Sequence, residues 1–220
     1  MSRALRFYRS AIGKKVVMAV TGLIGIAFVI AHMTGNLLAF AGPEAINSYS
    51  HFLKSTGELL LVLRAVLIVA VILHVIAAAQ LTIQNRAARP MGYVDREPQV
   101  STWASRTMRW GGLLLLVFIV LHILHFTTGD LKPAGVFSTA DVYGNIIASF
   151  RIWWVVLFYL ISMIALGFHL YHGAWSSVRS LGLRQPSPNP LQRRVALAVA
   201  AIVWAGFVAV PVAVFVGLVG

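Results

Sequence analysis

The ten residues 166–175, LGFHLYHGAW, put His169 and His172 nearly one helical turn apart in a stretch otherwise apolar enough to sit in lipid. The stretch extends to 152–175, about the length needed to cross hydrocarbon, and four others match it at 16–40, 59–83, 110–127 and 195–219. Hydrophobic residues make up 59% of the 220-residue chain and charged residues 11%. The mean hydropathy of +0.84 is too high for a domain that must cover itself in water. The expected fold is an all-α bundle of five transmembrane helices, a single transmembrane domain over 1–220. The basic residues ahead of the first span could mark a cleaved signal peptide, but that span is long enough to cross and holds His32, so it reads as a retained helix.

A net charge of +12 raises the question of nucleic acid, and the charge distribution answers it. Arg3, Arg6, Arg9, Lys14 and Lys15 precede span one; Arg86, Arg89, Arg96, Arg106 and Arg109 separate spans two and three; Arg179, Arg184, Arg193 and Arg194 separate spans four and five. The alternate loops hold only Lys54, Lys132 and Arg151, and Arg64 lies within span two. The positive-inside rule then predicts a cytoplasmic N-terminus, an outer C-terminus and no nucleic-acid partner. The expected location is a bacterial-type cytoplasmic membrane. With no cysteine, the chain has no disulfide, no thiolate for an iron–sulfur cluster and no covalent haem attachment.

The loops are short. Residues 42–58 predict an amphipathic helix on the outer surface, with Ile46, Tyr49, Phe52 and Leu53 at helical spacing. Residues 88–100 read as an irregular connection and 184–190, RQPSPNP, as a proline-rich turn. No phosphate-binding glycine loop or soluble catalytic segment is present.

Six of the seven histidines lie within spans: His32, His74, His122, His125, His169 and His172. A single intramembrane histidine can be a simple interhelical hydrogen bond, but four helices carrying them form a pattern. At about 1.5 Å of rise per residue from the basic helix ends, His32 lies about 25 Å up, and His122 and His125 about 20 and 24 Å. His74 lies about 18 Å up, and His169 and His172 about 15 and 10 Å. Helices one and three share an outer level, two and four an inner one. Two facing imidazoles at each of two levels are what two b haems require. A four-histidine zinc site would need all four to converge on one point, and a proton relay would be expected to recruit Asp or Glu, which these spans lack. Small residues at helical spacing leave room for a flat ring: Ala70, Ala77 and Ala78 beside His74, Gly173 beside His169, Gly35 beside His32 and Gly129 beside His125. Gly22 and Gly25 read as close helix packing. Spacing leaves His122 against His125, and His169 against His172, open.

The stretches at 12–40 (IGKKVVMAVTGLIGIAFVIAHMTGNLLAF), 46–53 (INSYSHFL), 72–90 (ILHVIAAAQLTIQNRAARP) and 168–182 (FHLYHGAWSSVRSLG) resemble the di-haem cytochrome b anchor subunits of succinate:quinone oxidoreductases, including fumarate reductases. The resemblance covers nearly the whole chain. It implies His32 and His122 as ligands of the outer, distal haem, and His74 and His169 as ligands of the inner, proximal one, leaving His125 and His172 beside them. It also implies a flavoprotein and an iron–sulfur subunit as partners, and a quinone, menaquinone in most di-haem members, exchanging electrons and protons near the distal haem. The chain would then be the electron-transfer and quinone-reactive subunit, without dehydrogenase activity alone. For proton exchange His51 is the best-placed titratable group, with Glu58 next. Arg64 can donate to a haem propionate or snorkel to the outer interface. The basic cytoplasmic face suits partner docking and anionic lipid alike. Two other readings compete: a cytochrome b of a hydrogenase or formate dehydrogenase, and a haem-free anchor or proton-relay protein.

Overall fold

The computed structural model describes residues 3–88, 103–183 and 190–220, which are mostly helical, with no strand and with an irregular connection at 127–141. The helices are α1 (Arg3–Arg9), α2 (Ala11–Leu37), α3 (Pro43–Ser55), α4 (Glu58–Ala87), α5 (Trp103–Phe126), α6 (Val142–Phe150), α7 (Trp153–Ser180) and α8 (Pro190–Phe215). Five of them, α2, α4, α5, α7 and α8, are long and apolar enough to cross a membrane. The connection at 88–100 and the turn at 184–190 fall almost wholly outside the described residues, as do Arg89, Arg96 and Arg184.

Most helices overrun the spans expected from hydropathy. The apolar run marks only the hydrocarbon-facing part, whereas the backbone ladder continues through the charged ends. Thus α2 takes in Lys14 and Lys15, and α5 begins at Trp103 and takes in Arg106 and Arg109. Lys14 is buried at the start of α2 and donates from Nζ to the carbonyl of Arg9 at 3.1 Å.

Helix α7 is central, packing on α8, α5 and α2, while α4 packs chiefly on α2. Ala70 and Ala77 are buried on α4, where small side chains let it approach its neighbour closely. At one end of the bundle a core forms from Phe118, Ile146, Ile147, Phe150, Val155, Tyr159 and Val214.

That end is closed by α3 and α6. Helix α3 matches the expected amphipathic segment; it buries Ile46, but Phe52 remains 61% exposed. Helix α6 was not expected from the sequence. Asp141 caps it by accepting from the backbone N–H of Gly144 at 2.9 Å, and its apolar residues fill the core. Asn47 of α3 clasps α6 at both ends of its amide: Nδ2 donates to Asp141 Oδ1 and Oδ1 accepts from the N–H of Tyr143, each at 3.0 Å.

Candidate haem-binding histidine pairs

The structure brings His32 of α2 together with His122 of α5, ring centroids 5.8 Å apart, and His74 of α4 together with His169 of α7, 6.0 Å apart. The two pairs occupy different levels. Thr21 touches His74 and precedes His32 by eleven residues on α2, about 16 Å of helix. Gly112 lies beside His169 and precedes His122 by ten residues on α5, about 15 Å. Tyr159 contacts His122 and precedes His169 by ten on α7, again about 15 Å. Rise counted from basic residues puts the levels only several Å apart. The difference arises because those residues are not level themselves: α5 starts before Arg109 and α2 before Lys15.

Each pair has the spacing of two imidazoles on one metal. A metal–nitrogen bond of about 2 Å on either side, plus the distance from nitrogen to ring centre, sets the centroids roughly 6 Å apart. Among the described residues no three ligand-type side chains converge, which removes the four-histidine zinc geometry.

The inner pair has room built around it. A Cβ on Gly22 would stand 3.3 Å from His74 Cε1, and one on Gly112 would stand 3.9 Å from His169 Cε1; one on Gly173 would meet nothing within 4 Å. Gly22 therefore makes space for a histidine ring, where spacing suggested only helix packing. Two glycines expected to flank a ring do something else. The place of a Cβ on Gly35 is taken by the ring of Tyr49, 2.7 Å away, so Gly35 admits α3. Gly129 lies past the end of α5 with φ +72° under the ring of Phe137, so it turns the chain.

Hydrogen bonds orient the rings. Thr21 Oγ1 lies 3.1 Å from His74 Nδ1 and donates its own proton to the Val17 carbonyl at 2.7 Å. It therefore accepts Nδ1–H and leaves Nε2 of His74 bare. At the outer level Tyr159 Oη lies 3.2 Å from His122 Nδ1 and 3.0 Å from His125 Nδ1, and His125 Nε2 lies 2.8 Å from Ser149 Oγ. Both nitrogens of His125 are thus engaged by protein groups, while Nε2 of His122 is not. Asn36 Nδ2 donates to His32 Nε2 at 3.4 Å, and Phe28 stacks on the His32 ring at 5.4 Å. Thr21, Tyr159, Ser149 and Gly112 were not singled out from the sequence. The usable signal was that Thr21 and His32, eleven residues apart, share one face of α2.

On α7, His169 Nδ1, His172 Nδ1 and Trp175 Nε1 are buried without a hydrogen-bond partner among the described residues. They are spaced by three along one stripe of the helix. The His172 ring meets Trp175 edge-on at 5.2 Å. His51 is exposed on α3, Arg64 is exposed on α4, and neither is brought into the histidine pairs.

The model of the succinate dehydrogenase/fumarate reductase transmembrane subunit family matches residues 85–210, more than half the chain. The succinate dehydrogenase cytochrome b558 subunit of Bacillus subtilis (strain 168) is 25% identical over 179 residues, covering 80% of this chain and 81% of that protein. No solved structure matches. A bundle of five membrane-length helices with histidines facing one another inside it accords with that match, and the chain belongs to the family of succinate dehydrogenase/fumarate reductase transmembrane subunits.

Proposed function

We propose that the chain holds two b haems, one between His32 and His122 and one between His74 and His169, and conducts electrons between the iron–sulfur subunit of its complex and a quinone. The observation that carries this reading is the pair of imidazole pairs, each near 6 Å between centroids, stacked about 15 Å apart in an apolar bundle. Bound there, the haems supply reversible one-electron chemistry. The chain's own part is to present a bare Nε2 at His74, to exclude water with apolar helix faces, and to hold the two levels at fixed separation. The positive-inside distribution supports an N-terminus in the cytoplasm, so that the His74 and His169 level lies nearer the iron–sulfur partner and the α3–α6 end lies outside. Quinone, menaquinone on the strength of the di-haem resemblance, then reacts near His32 and His122. His51, exposed on α3, exchanges protons there with Glu58 nearby in sequence, and Arg64 pairs with a propionate. The catalytic flavoprotein and iron–sulfur subunits lie outside this chain, on its basic cytoplasmic face.

A haem extraction count with reduced-minus-oxidised spectra on the intact complex tests the reading. Two b haems per chain are expected; one or none overturns it. Co-purification with a succinate-oxidising flavoprotein separates this assignment from the cytochrome b of a hydrogenase or formate dehydrogenase.

A further inference from the structure

Tyr159 of α7 has one hydroxyl proton and stands between two imidazoles, 3.2 Å from His122 Nδ1 and 3.0 Å from His125 Nδ1. His125 continues the row to Ser149 of α6, at 2.8 Å. Tyr159, His125 and Ser149 are each at most 7% exposed, so bulk water does not replace any link. A neutral imidazole carries a single N–H, which allows the row two orders.

In the first order His122 Nδ1–H donates to Tyr159, Tyr159 donates to His125 Nδ1, and His125 Nε2–H donates to Ser149. Nε2 of His122 is then bare. In the second, Ser149 donates to His125 Nε2, His125 Nδ1–H donates to Tyr159, and Tyr159 donates to His122 Nδ1. The proton of His122 then sits on Nε2 and blocks ligation there. Only the first order is compatible with a metal on His122.

We propose that Tyr159 is the positioning residue of the outer haem: its hydroxyl, oriented by His125 and Ser149, accepts Nδ1–H of His122 and holds that ring with Nε2 bare. The proposal rests on the di-haem reading. It also gives a role to His125, a buried histidine that ligation leaves over. At the inner level Thr21 plays the same part for His74, so the two levels are oriented by different residues. A ligand imidazole whose Nδ1–H is hydrogen-bonded is more basic at Nε2, which favours oxidised iron and lowers the haem's midpoint potential.

The test is a redox titration of both haems in the intact complex carrying Tyr159→Phe, Ser149→Ala or Ser149→Thr. Tyr159→Phe is expected to keep both haems and raise the outer midpoint with the inner one unchanged. Ser149→Ala is expected to raise the outer midpoint by less, and Ser149→Thr to return it to the wild-type value. An unchanged outer midpoint in a Tyr159→Phe complex that keeps both haems overturns the proposal, as does a parallel shift of both. If Tyr159→Phe does not assemble, the serine variants decide, and an outer midpoint of Ser149→Ala equal to wild type overturns it. Failure of the di-haem reading itself is seen separately, as fewer than two b haems in the unsubstituted complex.

Discussion

Which nitrogen a buried histidine can offer is decided by its neighbours, and at His74 the neighbour is Thr21, whose hydroxyl gives its proton to Val17 and so can only accept. The pairing across helices makes a sharp prediction. His74→Ala or His169→Ala in the assembled complex is expected to remove the inner haem's spectral component and leave the outer one, and His32→Ala or His122→Ala to do the reverse. Spectra at low temperature resolve the two; loss of the same component from His32→Ala and His74→Ala would break the pairing. The histidines were legible in the sequence because an imidazole in hydrocarbon is costly and therefore conspicuous. Their hydroxyl partners were not. A serine or threonine in a membrane helix ordinarily satisfies itself on its own helix, as Thr34 does on Ile30 at 2.9 Å and Ser162 on Phe158 at 2.8 Å. Residue type alone does not distinguish these from Thr21, which makes the same local bond and also accepts across the helix interface; only its place on the His32 face of α2 sets it apart from Thr34.

Among the elements, α3 and α6 are too short to cross a membrane, yet they clasp each other by specific contacts, and both hold by small features. Gly35 lets the ring of Tyr49 lie on α2, with a would-be Cβ 2.7 Å from Cε1. Gly206 of α8 has a still tighter neighbour in the Sδ of Met33, but a methionine thioether can swing aside where a tyrosine ring wedged between helices cannot. Gly35→Ala is therefore expected to cost about 1–3 kcal/mol, the usual range for overpacking, and Gly206→Ala distinctly less. Thermal unfolding of the complex in detergent ranks the two. The clasp between the elements turns on Asp141. The Gly144 N–H first, and the Asn47 amide second, hold its carboxyl below the ordinary value of 3.8. A carboxylate whose folded value is depressed stabilises the fold above its unfolded value, and that stabilisation is lost as pH falls through the folded one. Protection of the Gly144 and Asn145 amides from hydrogen exchange, corrected for intrinsic rate, is expected to fall below about pH 4 and to lose that dependence in Asp141→Asn. Helix α6 went unread because hydropathy scans reward length, and this helix has nine residues. Its start was nonetheless written in Asp141, a good N-cap three residues ahead of the N–H it accepts.

For the molecule as a whole, the bundle resembles a soluble core turned outward. Leu61, Ile68 and Ile72 of α4 are more than half exposed, while α4 itself rests chiefly on α2. That surface is stable only against lipid or apolar partner helices, and the five-helix arrangement could be read from the sequence because hydrocarbon forbids unpaired backbone. Orientation depends on another force, the bias of basic residues against translocation, and it follows from the charges flanking the spans rather than from packing. The sequence puts five basic residues ahead of the first hydrocarbon stretch and only Lys54 in the loop after it. The chain has no cysteine, so a single introduced thiol reports the side on which it lies. Ser55, at the exposed end of α3, and Leu183, exposed just past α7, lie at opposite ends of the bundle on this topology. In intact cells a membrane-impermeant maleimide is expected to label Ser55→Cys and to spare Leu183→Cys until the membrane is opened. The reverse pattern would invert the bundle, moving the His32 and His122 level to the cytoplasmic side and the iron–sulfur partner to the α3–α6 end.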